Sequence, residues 1–149
     1  MYEINSNTIA LLPYINGNNK IIELENEYIN NDNIQNIINN SCKFFGSSYN
    51  GRLIGTKKIL GVSYKAPIVI EESSDLIFFP TSSPRLETCA WISLKGIKDY
   101  CKTGHMTQIT LINNQKINLD ISYSSFDNQI LRAARLLMLI NERKLRKNT

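Results

Sequence analysis

A chain of 149 residues with 42% hydrophobic content is long enough for one domain with its own core and too apolar to be disordered. No run of about 18 apolar residues occurs, so a helical membrane span is excluded. The start Met1-Tyr2-Glu3-Ile4-Asn5 lacks the basic and apolar stretches of a secretory signal, and the chain is expected to be cytoplasmic.

The net charge of +4 is distributed in blocks: residues 1–41 carry −4, 42–70 carry +5 with no acid, 71–131 carry −2 and 132–149 carry +5. Two basic blocks point to a polyanionic partner, with a solubilising surface as the alternative.

In chain order, residues 8–12 read as a strand ended by Pro13, Asn16-Gly17-Asn18-Asn19 as a turn, and residues 20–25 as a second strand, so the pair forms a hairpin. Residues 26–40 are rich in Asn and Ile. The spacing of Ile34, Ile37 and Ile38 predicts a short helix started by Asp32 or Asn33, although Asn is a poor helix former. Residues 41–52 read as a glycine-bearing loop, and residues 56–64 as a strand broken by Lys65-Ala66-Pro67. Residues 68–70 and 76–79 are short β runs, 80–85 a loop, and 89–94 a strand with Trp91 as a core or interface anchor. Residues 95–101 carry no clear pattern. Residues 107–112 and 116–121 alternate around Asn113-Asn114-Gln115, a hairpin signal because Asn tolerates positive φ.

A long helix is predicted over 125–147, opened by Ser124 and Asp127 in a capping-box-like arrangement. Phe126, Ile130, Ala133, Leu137 and Ile140 share one face, and Arg132, Arg135, Arg143 and Arg146 form a stripe on the opposite face. Cations in the last turns suit the negative end of the helix dipole. Arg132 and Arg135 are mid-helix, so they either contact a polyanion or pair with acids. The architecture expected is α+β: a single compact domain, an antiparallel β-rich body of about seven or eight short strands with a long amphipathic C-terminal helix.

The chemistry concentrates in residues 41–58, which hold Phe44, Phe45, Tyr49, three glycines and four cations but no acid. Glycines allow close backbone approach, Ser and Asn donate to anionic oxygens, and Lys and Arg supply charge. Such a stretch suits a phosphate-bearing partner; the competing reading is a glycine-rich turn with the phenylalanines in the core and solvated cations. Gly46 and Gly51 have the spacing of a nucleotide-binding P-loop, but Arg52 and Leu53 stand where that motif needs Lys and Ser or Thr. Cys42, Cys89, Cys101 and His105 lack metal-site spacing and read as free thiols and a lone histidine. With no paired-carboxylate motif and no dinucleotide fingerprint, neither enzymatic activity nor a cofactor is expected.

The run Cys42-Lys43-Phe44-Phe45-Gly46-Ser47-Ser48-Tyr49-Asn50-Gly51-Arg52 resembles the central motif of the ComK family of bacterial competence transcription factors. Lys65-Ala66-Pro67-Ile68 is similar to the family's Lys-Pro-Pro-Ile, Phe78-Phe79-Pro80-Thr81 to its Phe-Pro-Thr step, and Cys89-Ala90-Trp91-Ile92-Ser93 to its Cys-Gly-Trp-Ile-Ser strand. Residues 121–129, from Ile121 to Gln129, resemble the family's approach to its last helix. The matching blocks run in order from about residue 41 to 135, while residues 1–40 match loosely.

The resemblance implies a transcriptional activator of genes for DNA uptake. It implies binding of double-stranded DNA at AT-rich promoter boxes, through the minor groove, as homodimers pairing to a tetramer, with RNA polymerase as a further candidate partner. Family contacts are not carried over residue by residue. From charge and context the candidate DNA-binding residues are Lys43, Ser47, Ser48, Tyr49, Asn50, Arg52, Lys57, Lys58, Lys65, Arg132 and Arg135, with Arg52 first for insertion into a narrow groove. A protein-interaction module, or a paralogue without specific DNA binding, is the alternative. Longer family members continue past the helix with a tail read by an adaptor–protease system; this chain stops at Thr149, so the resemblance does not extend to regulation by that route.

Overall fold

Period-two alternation splits one sheet between two cores. In the computed structural model, which describes residues 1–147, strands β1 (Thr8–Pro13), β2 (Asn19–Glu23) and β3 (Glu27–Asn30) join β4 (Ile68–Glu71), β5 (Leu76–Pro80) and β6 (Trp91–Ser93) in the order β3-β2-β1-β6-β5-β4, with antiparallel neighbours throughout. Leu11, Ile21, Ile68, Ile70, Phe78 and Trp91 point to one face. Ala10, Ile22, Val69, Ile77, Phe79 and Ile92 point to the other. A sheet buried on both faces explains why residues 68–70 and 76–80 are apolar without alternation.

The first face is covered by α1 (Ile34–Phe44) and α2 (Tyr49–Leu60), through Ile37, Ile38, Cys42, Tyr49 and Leu53. The second is covered by a separate sheet, β7 (Ile97–Thr103), β8 (Met106–Leu111) and β9 (Lys116–Leu119) in the order β7-β8-β9, and by α3 (Tyr123–Lys147). Phe126, Ala133, Leu136 and Ile140 are the α3 residues in that core, and Phe126 stacks edge-on to Phe79 and Tyr100. The expected α+β domain with a long C-terminal helix is therefore present, with nine strands among the described residues. Among those residues no helix is long and apolar enough to cross a membrane.

Both predicted hairpins form, β1–β2 and β8–β9, and Asn114 takes φ 71° in the second turn. Asn33 caps α1 by accepting from the Asn36 amide at 3.2 Å. Trp91 is core: it is 1% exposed and meets the Tyr49 ring edge-on at 6.2 Å.

Four expectations are corrected. Residues 56–64 are not a strand, and residues 41–52 are not one loop; α1 runs on to Phe44 and α2 occupies residues 49–60. The Ser48 hydroxyl caps α2 by accepting from the Gly51 amide at 2.9 Å, and Gly61 ends it in the left-handed conformation at φ 73°. Residues 97–103, unassigned from sequence, form β7. A bulge between Ile97 and Asp99 breaks the alternation, so the inward residues Ile97 and Tyr100 are three apart. Helix α3 starts at Tyr123, and Ser122 rather than Ser124 caps it, accepting from the Ser125 amide at 3.2 Å. Asp127 instead accepts from the Tyr100 hydroxyl, a bond that, with burial, pushes that phenol up to about 12. Finally, Leu136 is buried and Arg132 and Arg143 border α2 and its flanking loop, so these two arginines flank the core contact instead of opposing it, while Arg135 and Arg146 are exposed as expected.

Candidate nucleic-acid interface

The candidate cations occupy α1, α2, the loop after α2 and α3, which pack against one another around β4 and β5. Lys43 is exposed in the last turn of α1, and Asn50 in the first turn of α2. Lys57 and Lys58 are exposed in the last turn of α2. Helix α2 has no single apolar stripe, because Tyr49 and Leu53 pack into one core while Ile59 and Leu60 reach the other. That double contact fixes its rotation and leaves both lysines to solvent.

The loop from Gly61 to Pro67 joins the two basic blocks. Thr56 of α2 donates to the Pro67 carbonyl at 2.8 Å inside the protein. From α3, Gln129, 3% exposed, donates through its amide nitrogen to the carbonyls of Lys65 at 2.9 Å and Pro80 at 2.7 Å. Arg132 donates to the Tyr64 carbonyl at 3.1 Å and to the Gln129 side-chain oxygen at 3.2 Å. Lys65 is held at φ 51°, a left-handed conformation uncommon for a side-chain-bearing residue, and its ammonium sits 5.3 Å from the Tyr64 ring centroid. Lys65 and Arg132, 67 positions apart in number, are thus placed together by backbone contacts rather than by acids. Sequence reasoning gave Gln129 no role of its own; a buried amide in an otherwise amphipathic helix is the available signal.

Arg52 lies in helix α2 and not in a loop. It is half-buried, its Nη2 reaches the Ile70 carbonyl at 3.5 Å, and its Nε is buried with no acceptor. It lines a cavity of about 150 Å³ together with Ser47, Gly51, Gly55, Thr56, Glu72 and Arg143. Ser48 is the α2 cap, and the half-buried Tyr49 packs on Trp91 while its amide donates to Asn39 Oδ1 at 2.9 Å; burial raises its phenol pKa. Arg135 is exposed on α3. Among the described residues none of Lys43, Arg52, Lys57, Lys58, Lys65, Arg132, Arg135 and Arg143 is ion-paired, whereas Lys20 pairs with Glu27 and Lys144 with Asp75.

A larger cleft of about 710 Å³ lies between the β1–β2 turn, the residues before α1 and the 84–89 loop. Its charged lining is Asp32, Arg85 and Glu87, among neutral amides, which does not fit a polyanion.

A family model described as ComK protein matches residues 1–145. The chain belongs to the ComK family. The match includes residues 1–40, which carry the β1–β3 half of the main sheet and the start of α1. The competence transcription factor of Bacillus subtilis (strain 168) is 40% identical over 146 residues, covering 95% of this chain and 76% of that relative. No solved structure matches. Family and relative together support a competence transcription factor.

Proposed function

We propose that this ComK family member activates competence genes by binding double-stranded DNA at AT-rich promoter boxes, through the minor groove, as dimers that pair on one promoter. The supporting observation is the group of cations on α2, its following loop and α3, which have no acidic partners among the described residues. A cation held by backbone carbonyls or extended into solvent keeps its charge available to phosphate. In this reading Lys57, Lys58, Lys65 and Arg135 contact phosphates, with Lys43, Ser47 and Asn50 at the α1–α2 junction. In the same reading Arg132 is the guanidinium assigned to the groove and its edge, where A-tracts deepen the negative potential, while Arg52, half-buried at the cavity on α2, is assigned to the phosphate backbone. Ser48 and Tyr49 contribute by holding the start of α2.

Dimer formation has separate support. Leu131, Met138 and Leu145 recur every seven residues on α3 and are 58%, 55% and 67% exposed. In this reading the exposed apolar row is the seam for a second copy of the chain, the self-complementary occupant.

Binding to two duplexes of equal length, one with AT-rich boxes and one GC-rich, across a salt series tests the reading. Six phosphates neutralised per subunit, by Lys43, Arg52, Lys57, Lys58, Lys65 and Arg135, correspond to a slope of about −5 in log K against log salt. A preference for the AT duplex with a slope of that size is expected. Equal affinity for both would reduce the protein to a non-specific polyanion binder, and no binding at low salt would refute DNA recognition.

A further inference from the structure

The cavity where α2, the end of β4 and the last turns of α3 meet has the features of a built anion site. Two arginines from different elements, Arg52 and Arg143, reach it, and Ser47 and Thr56 add hydroxyls. The Thr56 hydroxyl is already committed to the Pro67 carbonyl, so Ser47 is the free hydroxyl of the pair. Arg52 makes one long bond of 3.5 Å, and its buried Nε has no acceptor, a costly state for a charged donor unless a ligand or solvent fills it. Glu72 is the one carboxylate in the lining; its backbone carbonyl accepts from the Lys144 ammonium at 2.6 Å, and that ammonium is paired with Asp75 at 3.2 Å, so it adds no free charge to the cavity.

The glycines are the second, independent observation. Gly51 and Gly55 are one helical turn apart on α2 and both line the cavity. A Cβ at Gly51 would meet the Ser47 hydroxyl at 2.8 Å, so local packing accounts for that glycine. A Cβ at Gly55 would meet nothing within 4 Å, and its backbone is helical. Glycine is the poorest helix former after proline, so packing and backbone both favour a larger residue at position 55. What position 55 keeps open is the cavity. Its volume of about 150 Å³ is room enough for one tetrahedral oxyanion.

We propose that this cavity is a phosphate-binding subsite, in which the Arg52 and Arg143 guanidinium groups and the Ser47 hydroxyl hold one phosphate group against the bare backbone of Gly55. Two guanidinium groups suit the shared oxygens of a phosphate through paired N–H donors. The source of the phosphate is a DNA backbone group, and for that source alone the inference rests on the proposed function; a free phosphate would occupy the same pocket.

The test combines Arg143→Gln, which removes charge at the rim, with Gly55→Leu, which fills the cavity from a helix-favouring position. Thermal unfolding is followed in inorganic phosphate and in chloride at equal ionic strength, and DNA binding across a salt series. The wild-type chain should gain several degrees in phosphate over chloride, and both variants should lose that gain. If phosphate from DNA is the ligand, Arg143→Gln also lowers the salt slope by about one and weakens AT-rich and GC-rich duplexes equally, by about tenfold. Loss of the phosphate gain in the variants, with an unchanged slope or with no DNA binding by the wild type, upholds the pocket and assigns it a free phosphate. An equal phosphate gain in all three proteins is a general salt effect and overturns the proposal, even where DNA binding by the wild type leaves the proposed function standing.

Discussion

Gln129→Leu probes the joint between the two basic blocks. The substitution keeps side-chain volume and helix propensity close to the original, so its cost comes from hydrogen bonds. Two carbonyls lose their amide donor: Pro80, whose bond at 2.7 Å is buried, and Lys65, whose bond at 2.9 Å is partly buried. An unsatisfied buried carbonyl costs about 1–3 kcal/mol, and the partly solvated one recovers some of its loss from water, so the sum is about 2–4 kcal/mol. For a chain of 149 residues, 3 kcal/mol lowers Tm by about 10 °C. Arg132 loses its Gln129 acceptor in the same step and keeps only the Tyr64 carbonyl. Gln129→Leu and Arg132→Ala should therefore be non-additive in a double-mutant cycle by at least about 0.5 kcal/mol. Urea unfolding of the four proteins gives both quantities. A loss below about 0.5 kcal/mol for Gln129→Leu, with no coupling, would refute the claim that this amide fastens the loop to α3.

Three further outcomes follow from other parts of the molecule. Met138→Glu and Leu131→Glu place charge on side chains more than half exposed, so stability should change by less than about 1 kcal/mol while self-association measured by sedimentation falls; unchanged association would remove the seam as the dimer contact. Lys57→Ala with Lys58→Ala should reduce the salt slope of DNA binding by about two and change stability by less than about 1 kcal/mol, since both ammonium groups are exposed and have no ion pair among the described residues; an unchanged slope would place the DNA elsewhere. Burial raises the Cys42 thiol from its ordinary 9.0 to about 11, with Arg52 a smaller opposing influence. A raised native pKa means that the folded state holds its proton longer, so this contribution is full below about pH 9 and is lost as pH rises through about 11. Stability should fall across that window and Cys42→Ala should flatten the fall, while a thiol reagent at neutral pH should label Cys101 alone in the native protein.

Legibility followed burial pattern. Strands that alternate against one core, such as β8 and β9, and hairpins marked by Asn-rich turns were readable because period and turn chemistry agree. Helix α2 was not readable, because its apolar residues serve two cores and so form no stripe, and its two internal glycines suggest a loop. The reading of β7 failed on its bulge, and β3 was hidden because its residues are almost all exposed at the sheet edge. For the candidate interface, charge blocks located the cations, but charge alone could not separate Lys57 and Lys58, which face solvent, from Arg52, which lines a cavity. Nor could it place Gln129, whose role exists only once Pro80 and Lys65 are beside it.

The glycine-bearing stretch therefore acts through helix geometry. Read as a loop, Gly46, Gly51 and Gly55 would provide flexibility for a groove-inserting Arg52. In the fold Gly46 takes φ 84° at the α1–α2 turn, Gly51 makes room for the α2 cap, and Gly55 leaves a space beside Arg52. Rigid presentation lowers the conformational entropy lost on binding, because α2 is fixed by two cores and its following loop by Thr56 and Gln129. Substitutions that loosen this frame should then weaken DNA binding at every salt concentration without changing the salt slope. Substitutions of the cations should change the slope itself. Gln129→Leu belongs to the first group and the Lys57, Lys58 pair to the second, so one salt series on both variants separates presentation from charge.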